Sequence, residues 1–182
     1  MSDEQPKGRR TIEVGTTGRI VAANLLRLRN ARSLTTRQLS AALEQAGRPI
    51  PPSGITRMEK AERVVTTDDL VALASVLGVS PSALLLPLDD SPESMVEITG
   101  SGSVSADVAW DWLDGQRPRL RFPERDPEGA WLWSELYGRP PGRRARVAGA
   151  ASDLRELGER QRELGLAPHE WPPGMIDPSA GE

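Results

Sequence analysis

Hydrophobic residues between positions 18 and 88 recur at spacings of three and four, the period of amphipathic α-helices that each bury one stripe. Polar, glycine-containing or proline-containing segments separate these stretches, so the pattern predicts five short helices. The apolar positions that define them are Val21, Leu25, Leu28 and Ala31, then Leu39, Ala42 and Leu43, then Ile55 and Met58, then Leu70, Leu73, Ala74 and Leu77, and finally Leu84, Leu85 and Leu86.

Capping residues and turn formers predict where the second and third helices begin and end. Thr35 has the side chain to cap the second helix, which we expect to run to about Ala46 and to end at Gly47. Proline is tolerated in a first helical turn, so the third helix is predicted to begin near Pro52 and to reach about Ala61.

The fourth and fifth helices carry stronger boundary residues. Thr66 supplies a cap hydroxyl, and Asp68 and Asp69 place carboxylates in the first turn, at the positive end of the helix dipole. Gly78 is expected to end this helix. A Ser-Pro pair ending at Pro81 then opens the last helix. The fold class expected for this region is therefore all-α.

The stretches on either side of this region differ from it in composition. The first residues lack a helical apolar period and contain Arg9 and Arg10, while the segment after Pro87 is acidic and then rich in Gly and Ser. We therefore expect a disordered arm at 1–17, a helical domain at 18–88, a linker at 89–106 and an acidic, partly ordered region at 107–182.

The C-terminal region contains all five tryptophans and one further helix candidate. The first four tryptophans form two Trp-x-Trp pairs, which suit either a partner-binding patch or a minimal core for a subdomain. Apolar residues at heptad-like positions predict a helix at about 143–165, which is either a self-association helix or a solvated one.

The net charge of −3 conceals two different halves. Residues 1–88 hold 12 Lys and Arg against 8 Asp and Glu, a net charge of +4, whereas residues 89–182 hold 11 against 18, a net charge of −7. A basic N-terminal half is compatible with a nucleic-acid partner.

Several function classes are disfavoured by residues that the chain lacks. It has no cysteine and a single histidine, His169, so thiol chemistry and most metal sites are not expected, and we predict neither a cofactor nor enzymatic activity. It also has no long apolar run and no signal-peptide pattern, which predicts a soluble cytoplasmic protein without a membrane partner.

The stretch from Leu28 to Leu86 resembles the Cro and phage-repressor family of helix-turn-helix domains, the XRE-type regulators. The likeness rests on the segments RLRNARSLTTRQLSAAL, SGITRMEKAE and TTDDLVALASVLGVSPSALL. It implies a five-helix domain that binds double-stranded DNA through its second and third helices. It also implies a structural ion pair between Arg29 and Glu59, which would hold the third helix on the scaffold.

The resemblance assigns DNA-contacting roles by position. Phosphate contacts are expected from Thr36 and Arg37 at the start of the second helix and from Lys60 and Arg63 just past the third, although the last two are equally compatible with ordinary surface charge. Base contacts are expected from the exposed face of the third helix. That face is predicted to offer Ser53, Gly54, Thr56 and Arg57, with Arg57 the best suited to grip guanine.

The sequence departs from the family pattern in the turn. The connection is about five residues longer than the compact family turn, Glu44 replaces the usual early glycine, and Pro51 and Pro52 stand where a Ser cap and a contact residue are normally found. We expect a regulator that represses transcription by occupying a promoter as a homodimer joined through the C-terminal helix. The sequence indicates no effector ligand. The alternative is a protein-binding adaptor or antitoxin-like protein that uses the acidic, Trp-containing half.

Overall fold

The structure is a computed structural model that describes residues 13–117, 120, 134 and 137–140. Within these residues it contains six helices and one two-stranded antiparallel sheet. The elements in chain order are α1 (Thr16–Ala31), α2 (Thr36–Gln45), α3 (Pro52–Glu59), α4 (Thr67–Leu77), α5 (Ser82–Leu85), β1 (Met95–Ile98), β2 (Gly102–Ser105) and α6 (Ala106–Leu113).

The predicted caps account for the boundaries of α2 and α4. Thr35 accepts a hydrogen bond from the backbone N–H of Gln38, and the Gln38 side chain accepts one from the Thr35 N–H in return. Thr66 and Asp69 form the same reciprocal box at the start of α4. The end of α4 lies at Gly78, whose left-handed conformation, with φ +65°, strongly favours glycine.

The hydrophobic core joins α1 to α5. Its members are Leu25, Leu39, Leu43, Ile50, Ile55, Met58, Leu73, Ala74, Leu77 and Leu84, so each helix contributes at least one fully enclosed side chain. Asn24 is one of three polar residues buried in the described part of the chain, and its amide nitrogen donates to the carbonyl oxygens of Leu84 and Leu86. This side chain therefore satisfies backbone acceptors at the end of α5 and holds that short helix against α1.

The prediction of an all-α fold with a linker at 89–106 is corrected by a β-hairpin in that stretch. Residue Met95 pairs with Ser105 and Ile98 pairs with Gly102, and the alternate residues Val96, Ile98 and Val104 are buried. This period-2 alternation is short and interrupted by Gly and Ser, so the Gly- and Ser-rich composition led to the prediction of a linker. The hairpin packs against α1.

The hairpin and α6 belong with the helical domain. The Trp110 indole donates to the carbonyl oxygens of Pro87 and Asp89, and Ala106 and Ala109 are buried. The chain divides into compact units at 1–113 and 114–182, so α6 lies in the first unit and not in the predicted region at 107–182. The predicted helix at about 143–165 and the arm up to residue 12 lie outside the described residues.

Candidate nucleic-acid interface

The connection between α2 and α3 is a structured six-residue turn at 46–51. Ile50 in this turn is 2% exposed and packs into the core, and the Ser40 hydroxyl on α2 donates to the Ile50 carbonyl oxygen at 2.6 Å. Pro51 is extended and leads directly into the first turn of α3. The longer turn is therefore held to α2 and to the core at Ile50, two residues before α3 begins.

An ion pair holds the end of α3 to α1. The Arg29 guanidinium lies across the Glu59 carboxylate, with Nε 2.5 Å from Oε1 and Nη2 3.0 Å from Oε2. Its remaining nitrogen, Nη1, donates to the Leu34 carbonyl oxygen at 2.7 Å. The hydrogen bond with Glu59 raises the pKa of Arg29 above its ordinary value. The structure thus brings together the two residues for which the family resemblance implies a structural pair.

The outer face of α3 presents some of the expected base-reading side chains. Ser53 and Arg57 are exposed. Thr56 is partly buried, and its hydroxyl donates to the Pro52 carbonyl oxygen one turn earlier, at 3.0 Å. Arg57 is the one long cationic side chain among these residues, and a guanidinium fork matches the two major-groove acceptors of guanine.

Gly54 does not belong to this exposed face, which corrects the prediction that the exposed face of the third helix includes it. It is buried, and a Cβ added to it would lie 2.8 Å from Arg63 Nη1 and 3.3 Å from Ile50 Cγ2. The period of the helix explains the error, because Gly54 precedes the core residue Ile55 and lies four residues before the core residue Met58. The absence of a side chain at Gly54 makes room for Arg63.

The predicted phosphate-contacting residues fall into two environments. Thr36 is partly buried in the first turn of α2, directly after the Thr35 cap, and Arg37 beside it is exposed. Lys60 is exposed at the end of α3. These three residues lie at helix ends and are at least partly exposed, as a contact to a nucleic-acid backbone requires.

Arg63, predicted to contact phosphate, makes an ion pair that the sequence did not indicate. Its Nη2 lies 3.4 Å from Oδ2 of Asp69, a carboxylate that is 1% exposed. Arg48, in the turn before α3, approaches the other oxygen of the same carboxylate, with Nε 2.9 Å from Oδ1. Two arginines that flank α3 in the chain therefore converge on one buried carboxylate.

Arg48 and Asp69 are the functional candidates that reasoning from sequence missed. The Thr-Thr-Asp-Asp segment predicted the cap at the start of α4, and Asp69 does close that cap with Thr66. Its arginine partners lie 21 and 6 residues before it in the chain, at no helical or strand spacing. Only the path of the folded turn brings them together.

The described surface carries exposed cations around α3. Exposed Arg37, Arg57 and Lys60 lie on or next to the α2–turn–α3 unit, where cations contact phosphates and base edges in helix-turn-helix proteins. Within the described residues there is no cluster of three His, Cys, Asp or Glu side chains that could hold a metal ion. In the same part of the chain no helix combines the length and the hydropathy of a membrane span.

Residues 20–86 match a family model described as a helix-turn-helix domain. The match runs from the first half of α1 to the residue after α5, so it covers the core, the turn and α3. It supports a helix-turn-helix domain in this segment. No curated protein and no solved structure matches the chain.

Proposed function

We propose that this protein is a sequence-specific transcriptional regulator of the Cro and XRE type, and that α3 reads the major groove of its operator. One observation carries the proposal: α3 is fastened to α1 by Glu59 at its end and to the core by Ile55 and Met58, while Ser53 and Arg57 face outward. A rigid helix with a free polar face is what direct readout requires.

Affinity and sequence choice come from different residues in this proposal. Arg37 and Lys60 neutralise phosphates and release counterions, and Thr36 adds a contact from the start of α2, so these residues act on every DNA sequence. Arg57, with Ser53 and Thr56 beside it, supplies discrimination of about 1–3 kcal/mol for a good bidentate contact. No catalytic step is involved.

The proposal includes a dimer on a palindromic operator. A domain charge of +4 over residues 1–88 gives a monomer modest attraction for DNA. Two copies joined through residues 143–165 would place two α3 helices in half-sites about 10 base pairs apart. Occupation of a promoter would then repress transcription.

The proposal is tested by selecting binding sites from a random pool of duplex DNA with the full-length protein. We expect one motif to be enriched, and we expect Arg57→Ala to relax that motif at one position while leaving the others in place. Arg19→Ala is the matched control, because Arg19 is also exposed but lies on α1. It should leave the motif unchanged.

Two outcomes would contradict the proposal. One is the recovery of no motif, and the other is salt-sensitive binding to all sequences that Arg57→Ala does not alter. Either result would favour the adaptor hypothesis, in which the acidic C-terminal half binds a protein partner. That half lies mostly outside the described residues.

A further inference from the structure

The buried carboxylate of Asp69 links three parts of the domain around α3. Its oxygens face Arg48 in the turn before α3, Arg63 after α3, and Thr66 at the start of α4. We propose that Asp69 is a positioning residue for base recognition: it fixes the orientation of α3 by holding both flanking arginines. This inference rests on the proposed function and adds to it a residue that touches no DNA.

The role of Asp69 exceeds that of a helix cap. The cap uses only Oδ2, which accepts the Thr66 N–H at 3.5 Å, and an asparagine at this position would offer an oxygen for the same purpose. The other oxygen, Oδ1, is occupied by Arg48 Nε at the much shorter distance of 2.9 Å. A carboxylate that is 1% exposed is costly to desolvate unless charged partners compensate it. The arrangement therefore requires the arginines.

Arg48 connects Asp69 to the turn before α3. Its guanidinium also reaches Thr66 Oγ1 at 3.4 Å and lies 3.9 Å from the exposed carboxylate of Asp68. Two residues further along, Ile50 is held by the core and by the Ser40 hydroxyl. The turn is thus fixed from α4 on one side and from α2 on the other, immediately before α3 begins.

Arg63 connects Asp69 to the first turn of α3. To reach Asp69 its guanidinium passes over Gly54, because Nη1 lies 2.8 Å from the position of a Cβ at that residue. Any side chain at Gly54 would displace the guanidinium or push the first turn of α3 away from it. Gly54 is neighbour to Ser53 and lies one helical turn before Arg57, so such a shift would reach both outward-facing side chains.

The test compares full-length Asp69→Asn with the native protein on two duplexes, the enriched site and a scrambled duplex of equal length. Asparagine keeps the size of the side chain and its capping oxygen but removes the charge that holds the arginines. We expect affinity for the enriched site to fall about tenfold. Affinity for the scrambled duplex should stay level or rise, since the variant carries one negative charge fewer.

Asp68→Asn is the matched control. It removes a carboxylate from the same helix end. The Asp68 side chain is 82% exposed, however, and the substitution removes only a 3.9 Å contact with Arg48. We expect its ratio of specific to scrambled affinity to equal that of the native protein. All titrations are made at a temperature where circular dichroism shows each variant fully folded, so a purely stabilising role of Asp69 would leave both affinities unchanged and would overturn the inference.

Gly54→Ala provides a second route to the same contact and keeps the inference testable if Asp69→Asn fails to fold. Its added methyl group displaces Arg63, so it should also lower the specific affinity and spare the scrambled one. If both variants act through Arg63, the double variant should lose no more affinity for the enriched site than the more strongly affected single variant. Fully additive losses would overturn this route.

The outcomes separate this inference from the proposed function. If the native protein enriches no site, the proposed function fails, and the positioning role that rests on it fails with it. If it enriches a site and Asp69→Asn keeps the native ratio of affinities, the proposed function stands and the positioning role is wrong.

Discussion

The Arg29 guanidinium covers the Glu59 carboxylate with two hydrogen bonds, at 2.5 and 3.0 Å, and thereby joins the last turns of α1 and α3. Both side chains are largely withdrawn from water, with exposed fractions of 13% and 7%. A bidentate pair of this kind fixes direction as well as distance, because the planar fork has one good orientation on a carboxylate. The end of α3 therefore cannot rotate about its axis without breaking the pair.

Removal of Arg29 should strongly destabilise the domain. Arg29→Met removes the cation from the Glu59 carboxylate, whose side chain is only 7% exposed. We expect the free energy of unfolding to fall by about 3 kcal/mol. Urea denaturation followed by circular dichroism measures this value. Arg19→Met, at an exposed position on the same helix, should change it by less than about 0.5 kcal/mol. Equal effects of the two substitutions would contradict the role given to the pair.

The pair also predicts the direction of a pH effect. Its hydrogen bond with Glu59 raises the pKa of Arg29 in the folded state above the ordinary value. The stabilisation is therefore fully present below the ordinary arginine pKa and is lost only as pH rises through the folded-state pKa. The difference in stability between the native protein and Arg29→Met should accordingly be the same at neutral and mildly alkaline pH. A difference that shrinks over this interval would contradict the assignment.

Arg63 distinguishes a residue that positions α3 from one that contacts phosphate. If Arg63 holds Asp69 as in the structure, Arg63→Gln should weaken binding to the enriched site and leave scrambled duplex bound as before. A phosphate contact would instead weaken both and reduce the salt slope by about one ion. Lys60→Gln is the comparison, since Lys60 is exposed and should behave as the phosphate contact does. Affinities measured across a salt series decide between them.

The hairpin and α6 should contribute to the stability of the DNA-binding domain. A chain that ends after Leu88 lacks the buried residues Val96, Ile98 and Val104 and loses the indole that binds the carbonyls of Pro87 and Asp89. We expect it to be less stable than a chain that ends after Leu113 by at least about 2 kcal/mol, the value of one or two buried aliphatic side chains. Thermal and urea unfolding of the two chains provide the comparison, and equal stabilities would show that the domain ends with α5.

Asp89, in the turn before the hairpin, should titrate below the usual range. The Ser94 hydroxyl and then the Ser91 backbone N–H donate to its carboxylate and lower its pKa. Since the folded-state pKa lies below the unfolded one, this interaction stabilises the fold at higher pH and is lost as pH falls through the folded-state pKa. Ser94→Ala should raise the pKa of Asp89 in an NMR titration of its carboxyl carbon, whereas Ser75→Ala on α4 should not. An unchanged pKa in Ser94→Ala would contradict the contact.

Local rules were sufficient for the parts of the fold that local interactions determine. The start of α2 at Thr36 and the cap at Thr66 follow from side chains that bond to backbone groups three residues away. The hairpin escaped prediction because each strand is four residues long and its pairing partner is set by tertiary contacts with α1 and α6. Strands of that length carry too little alternation to distinguish them from a linker.

The candidate site shows the same division. The exposure of Arg57 and the closeness of Arg29 to Glu59 were expected from the motif, whose spacing fixes which face of α3 packs inward. The burial of Gly54 follows from the helical period that also buries Met58, whereas the close approach of the Arg63 guanidinium to it, from nine residues later, is set by tertiary structure. The convergence of Arg48 and Arg63 on Asp69 depends on how the long turn returns toward α4, and no periodicity encodes that.

The most direct test of base reading by α3 pairs a change in the protein with a change in the DNA. At the position where Arg57→Ala relaxes the motif, guanine is replaced by 7-deazaguanine, which lacks the N7 acceptor, and the affinity of each protein for each duplex is measured. The native protein should lose about 1–3 kcal/mol on the modified duplex, and Arg57→Ala should lose nothing further. An equal loss by both proteins would mean that Arg57 does not contact this base, and that α3 does not read the operator as proposed.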